Sequence, residues 1–197
     1  MRAADIRHWT AHGASTVLAP APVASLVLLI AAARSTATSM EFGIIAAVAI
    51  GWAVLLPRLC IEYGVQRGWL SQPHLPRREE RALPLAVGAV SVISAIPFAH
   101  LAGAAHAVIE SLYAMGFVLA IALVVTLVSK VSLHVAAMAG AVIIISQLLG
   151  AICILVVPLV VLVAWSRMEL HEHTLGQVGA GLVVGVVGSA QAYLLAF

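Results

Sequence analysis

Charge is what this chain of 197 residues has least of: Asp, Glu, Lys and Arg make up 9% of it, against about 25% in an ordinary soluble domain. The net charge is only +2, and no basic stripe interleaved with aromatics is present, which excludes a nucleic-acid-binding surface. Cysteine is almost as scarce. Cys60 and Cys153 lie in apolar runs with no partner spacing, so they read as buried thiols rather than a disulfide or a metal site. What the sequence does have is apolar bulk, 63% of all residues. No soluble fold of this size hides that much apolar surface. A bilayer core takes roughly 20 apolar residues per helical crossing, and such stretches follow one another to Phe197.

These features predict an all-α, polytopic transmembrane bundle in a single membrane domain covering 1–197. A β-barrel would alternate apolar and polar residues, whereas Val135 to Ile145 is apolar on every face. Candidate spans are Thr16–Ala33, Phe42–Tyr63, Leu83–Ala104, Ala107–Val128, Leu133–Gly150, Ala151–Trp165 and Thr174–Phe197. The fifth and sixth are short and joined only by Gly150, with one long tilted helix as the rival, so the count is six to seven. The first reads as a retained helix rather than a signal peptide, being longer than an h-region and broken by Pro20 and Pro22. Gly181, Gly185 and Gly188 form a small-residue face for close helix packing.

Three places combine charge with hydrogen-bonding side chains: Arg67 to Arg81, Ser129 to His134, and Ser166 to Gln177. With seven crossings, two helices separate each patch from the next, so all three emerge on one membrane face. An anionic lipid headgroup requires such a gathering. Arg81, Lys130 and Arg167 supply fixed positive charge and donors for phosphate oxygens, Ser132 adds a hydroxyl, and His134 and His173 can exchange protons near neutral pH. Two imidazoles among three cations suit phosphoryl transfer. One attacks phosphorus, the other protonates the departing alcohol, and the cations hold the charge of the transition state.

The patches resemble the type 2 phosphatidic acid phosphatases, membrane lipid phosphatases related to vanadium haloperoxidases, whose signature reads K-x6-R-P, P-S-G-H and S-R-x5-H-x3-D. Ser166, Arg167 and His173 match the third part at the family spacing. Ser132 and His134 match the second, with Val131 and Leu133 where the family has Pro and Gly. The first is matched at Arg81, with His74 at the Lys position and Ala82 at the Pro position. The resemblance runs from about His74 to Gly185. It implies a phosphatidic acid phosphatase-like core, with His173 as the nucleophile that forms a phosphohistidine and His134 as the acid for the leaving alcohol. Arg81, Arg167, Ser132, Lys130 and His74 would hold the phosphate, with no metal or other cofactor. Gln177 stands where the family has an Asp that orients the nucleophile. Four residues from His173, it shares a helix face with it and can accept the imidazole N–H without supplying a charge. Glu169 and Glu172 are read as facing water.

The resemblance implies a hydrolase of lipid phosphate or prenyl and polyprenyl (di)phosphate esters, whose partners are its substrate and the surrounding lipid. Two alternatives stay open: a catalytically altered relative that binds a lipid phosphate for regulation, transport or scaffolding, and a prenyl diphosphate cyclase or transferase on the same scaffold. A zinc site at His171, Glu172 and His173 is disfavoured, because residues two apart on a helix point about 200° apart and a zincin needs H-E-x-x-H. His8, Trp9 and His12 read as an interfacial segment with no chemistry of its own. An excess of Arg on the motif side (Arg2, Arg7, Arg58, Arg67, Arg77 and Arg78, against Arg34) places that face in the cytoplasm of a multi-pass cell-membrane protein.

Overall fold

A computed structural model describes residues 3–71 and 80–195. Among them every regular element is helical: α1 (Ala3–Val17), α2 (Pro20–Ser35), α3 (Ser39–Ile50), α4 (Leu56–Gln66), α5 (Ala82–Leu101), α6 (His106–Val128), α7 (Leu133–Leu149), α8 (Val157–Glu169) and α9 (Leu175–Leu195). Residues 72–79, which include His74, lie outside the described part.

Five helical segments are long and apolar enough to cross a membrane: Ser39–Gln66, Ala82–Leu101, His106–Val128, Leu133–Leu155 and Leu175–Leu194. Counting the pair Asp5–Val17 and Pro20–Ser35, bent by 46°, as one span gives six. The chain is thus compatible with a multi-pass membrane protein, with five or six crossings against the six to seven drawn from sequence. The difference arises at two places, the first expected span and the junction at Gly150. The expected first span begins inside α1, and α2 starts afresh at Pro20, where the missing N–H costs nothing in a first helical turn. The expected sixth span divides into a 3₁₀ stretch, Gly150–Leu155, and the 13-residue α8, which carries Pro158 in its first turn. A single long tilted helix does not form. Gly150 has φ 66°, a conformation open to glycine, and the chain reverses so that the end of α8 returns to the start of α7.

Proline also explains the irregular turn inside the crossing Ser39–Gln66. Between α3 and α4 the residues Gly51–Leu55 form a π-helical turn, closed by the Leu56 N–H on the Gly51 carbonyl. The next such bond would come from residue 57, which is proline and has no N–H. The Trp52 carbonyl left over accepts the Ser91 hydroxyl at 2.5 Å, and Trp52 Nε1–H donates to Ser94 Oγ at 2.9 Å. Such repair by neighbouring side chains is what keeps a broken helix tenable where water is absent.

Packing then sets up the site. Helices α6, α7 and α9 are mutual neighbours, α5 lies against α6, and α1 against α8. The glycine face of α9 allows close approach, as its spacing suggests. A Cβ at Gly181 would stand 2.5 Å from the Ser132 carbonyl oxygen, and one at Gly188 would stand 2.8 Å from the Val118 Cα. One at Gly185 would collide with the Ala136 carbonyl. This face holds the start of α9 against the start of α7.

Candidate active site

The third polar patch is built on two helix ends. α8 closes in a Schellman motif: the His171 N–H donates to the Met168 carbonyl at 3.0 Å and the Glu172 N–H to the Arg167 carbonyl at 3.1 Å. His171 takes the left-handed position, φ 55°, which usually belongs to glycine. Three residues later Thr174 caps α9. The Gln177 N–H reaches Thr174 Oγ1 at 3.4 Å, and the Thr174 N–H reaches Gln177 Oε1 at 3.3 Å. That reciprocal pair is a capping box. His173 is therefore fixed between a helix stop and a helix start only a few residues apart.

The capping box decides the chemistry of His173. Because Gln177 Oε1 accepts from the Thr174 N–H, it is an acceptor toward its other neighbour, His173 Nδ1, at 3.1 Å. The proton of the neutral ring then sits on Nδ1, and Nε2 keeps a bare lone pair. His173 is buried, 7% exposed. Burial, followed by the positive charges of Lys130, Arg81 and Arg167, pushes its pKa down from 6.5 to about 4 against the opposing pull of Gln177. At neutral pH this imidazole is an uncharged base, the form a nucleophile needs.

Three cations surround it, each held by a carbonyl or hydroxyl. Arg81, at the start of α5, donates to the Val131 carbonyl at 3.1 Å. Lys130 donates to the Glu172 carbonyl at 2.8 Å. Arg167 Nη1 donates to Ser15 Oγ at 2.6 Å. The Ser132 N–H donates to the Gln177 carbonyl at 3.2 Å, tying the second patch to the third. Arg81 and Arg167 are both buried. Their pKa values, and that of Lys130, are pulled down first by burial; for Arg81 and Lys130 a neighbouring guanidinium adds to this. Two donors at this place, Ser132 Oγ and Arg167 Nε, are fully buried without a hydrogen-bond partner among the described residues. Leaving a buried donor unpaired costs about 1–3 kcal/mol, and a cluster of like charges needs an anion nearby. A cavity of about 320 Å³ opens here, lined by Lys130, Met168, His171, Glu172, His173, Thr174 and Gln177.

No protein-family model matches this chain, and neither a curated protein nor a solved structure matches it. The site is read from its own geometry.

The structure brings together Arg81, Lys130, Ser132, Arg167, His173 and Gln177 by the contacts above. His134 is the second residue of α7, half-buried, two positions beyond Ser132. Ser166 of the S-R-x5-H pattern turns away, its hydroxyl donating to the Val163 carbonyl of its own helix at 2.8 Å. His74 lies outside the described residues. Among those residues, no three His, Cys, Asp or Glu side chains gather in a way that could hold a metal ion.

Two participants differ from the sequence reading. Ser15 belongs to the leading segment credited with no chemistry, yet α1 packs on α8 and delivers this buried hydroxyl to Arg167, while Arg7 pairs with Glu169 at 2.7 Å. No local pattern announces a partner 152 residues away. Glu172 faces water in part as expected, its side chain 42% exposed, but its Oε2 also lies 3.6 Å from Arg167 Nη2. The Schellman turn folds its carboxylate back over the end of α8.

Proposed function

We propose that this chain is an integral membrane phosphatase acting on lipid phosphate or prenyl and polyprenyl (di)phosphate esters, a divergent relative of the type 2 phosphatidic acid phosphatases. The observation that carries the reading is the pairing of an uncharged, buried imidazole with two orphaned buried donors and three cations. A phosphate supplies what each of these lacks: acceptor oxygens for Ser132 Oγ and Arg167 Nε, negative charge for Arg81, Lys130 and Arg167, and an electrophilic phosphorus for His173 Nε2.

The reaction follows the family's course. Nε2 attacks phosphorus and the ester P–O bond breaks. His134 gives its proton to the leaving oxygen, releasing the alcohol. Water, giving a proton back to His134, then attacks the phosphohistidine, the P–N bond breaks, and inorganic phosphate leaves with both imidazoles restored. No cofactor takes part. The cations stabilise the charge that spreads over the equatorial oxygens. Helices long enough to span a bilayer leave the lipid chain in hydrocarbon while the phosphate enters at the interface. The excess of basic residues on the motif side supports a site on the cytoplasmic face; labelling of Ser71→Cys by an impermeant thiol reagent in intact cells would place the loop outside and overturn that orientation.

Gln177 favours one rival, binding of a lipid phosphate without turnover, because a neutral amide holds the imidazole more weakly in its charged, phosphorylated state than a carboxylate does. Purified protein in detergent, supplied with prenyl and glycerol lipid phosphates, distinguishes the two. Phosphate release that disappears in His173→Ala supports the enzyme. Binding without release supports the rival, and release of diphosphate with new carbon products points to a cyclase or transferase on this scaffold.

A further inference from the structure

Glu172 is the one acidic side chain lining the cavity among the described residues, and its position is built rather than incidental. Its N–H is fixed on the Arg167 carbonyl, its own carbonyl holds the Lys130 ammonium, and its carboxylate lies 3.6 Å from the Arg167 guanidinium. Arg81 and Lys130 also feel its charge. A negative group thus sits permanently among the groups that must receive a phosphate.

The cavity does not choose its ligand by size. At about 320 Å³ it has the share of liquid volume of about ten waters, at about 30 Å³ each, which leaves room for two phosphate groups. Charge must do the choosing. A monoester phosphate carries about −1.5 to −2 at neutral pH, which the cations balance. A second phosphate adds at least one further negative charge in the same cavity, beside a carboxylate.

We propose, on the phosphate-site reading above, that Glu172 is a specificity-determining residue whose carboxylate makes the site take phosphate monoesters in preference to diphosphate esters. It does so by repulsion, the element that specificity commonly requires alongside attraction. For a unit charge about 5 Å from a carboxylate whose side chain is 42% exposed, an effective dielectric constant of about 50 gives a discrimination on the order of tenfold.

The experiment uses inorganic phosphate and pyrophosphate as probes, titrated calorimetrically into the purified full chain in detergent. Wild type is expected to bind phosphate more tightly than pyrophosphate. Glu172→Gln is expected to strengthen both, and to shift the pyrophosphate-to-phosphate affinity ratio on the order of tenfold toward pyrophosphate. Glu172→Ala removes the same charge with a different shape and must shift the ratio the same way. An unchanged ratio in both variants, weaker binding in both, or a shift in one alone overturns the role assigned to Glu172 and leaves the phosphate site standing. Binding of neither anion to wild type overturns the phosphate site itself and this inference with it.

Discussion

Replacing Gln177 by Glu tests how the site holds His173, the proposed nucleophile. The substitution keeps the backbone, because Glu is as good a capping-box partner for Thr174 as Gln. It changes one thing at His173 Nδ1: a neutral acceptor at 3.1 Å becomes a charged one. With charge centres about 4 Å apart and an effective dielectric constant near 20, the attraction for a protonated ring is about 4 kcal/mol. At about 1.4 kcal/mol for each tenfold change in proton affinity, that carries the imidazole from about 4 to near 7. Histidine NMR titration of the two proteins reads the value directly. In the wild type, activity is expected to hold down to about pH 4, where Nε2 takes up a proton and the nucleophile is lost. In Gln177→Glu the same acid limb is expected near neutrality, with a higher plateau above it because the phosphohistidine and its ring N–H are better stabilised. The sign for stability follows too. Since the folded His173 binds its proton more weakly than the unfolded chain, the wild-type fold loses stability as pH falls from about 6.5 toward 4, and the variant loses less. A titration unmoved by the new carboxylate would refute the proposed contact between residue 177 and Nδ1.

Other expectations follow from single contacts. Ser15→Ala leaves Arg167 Nη1 buried without its 2.6 Å partner, so phosphate affinity is expected to fall about fivefold to 100-fold, the equivalent of about 1–3 kcal/mol. An unchanged KM in the lipid phosphatase assay would show α1 to be irrelevant to the site. Gly185→Ala drives a Cβ into the Ala136 carbonyl and is expected to cost about 1–3 kcal/mol by overpacking, read as a lower melting temperature in detergent. His171→Gly relieves a left-handed residue and is expected to raise stability by about 1 kcal/mol; a loss of stability would mean that the His171 side chain itself holds the turn.

The bundle was legible in composition, because spans of roughly 20 apolar residues leave few other folds. The gathering of Lys130, Ser132, Arg167 and His173 was expected from seven crossings, a count the helices do not reproduce; the reversal at Gly150 is what brings the second and third patches together. His173 and Gln177 were expected to meet on one helix face, but His173 precedes α9 and the capping box around Thr174 makes the contact instead. The division at Gly150 was harder to read, because an apolar run looks the same whether it makes one helix or two and only the glycine marks the reversal. Ser15 and Glu172 were illegible for different reasons. Ser15 reaches Arg167 through tertiary packing of α1 on α8, which no local pattern encodes. Glu172 looked like a loop-end carboxylate, and only the Schellman turn, with histidine rather than glycine in its left-handed position, folds it back toward Arg167.

On the proposed mechanism His173 attacks phosphorus with its Nε2. Acid-labile, alkali-stable label trapped on the protein from a ³²P-labelled lipid phosphate during turnover, and mapped by peptide mass spectrometry, tests it most directly. The account expects phosphohistidine at residue 173, absent from His173→Ala. Phosphate release that proceeds without label, or label that persists in His173→Ala, would contradict it.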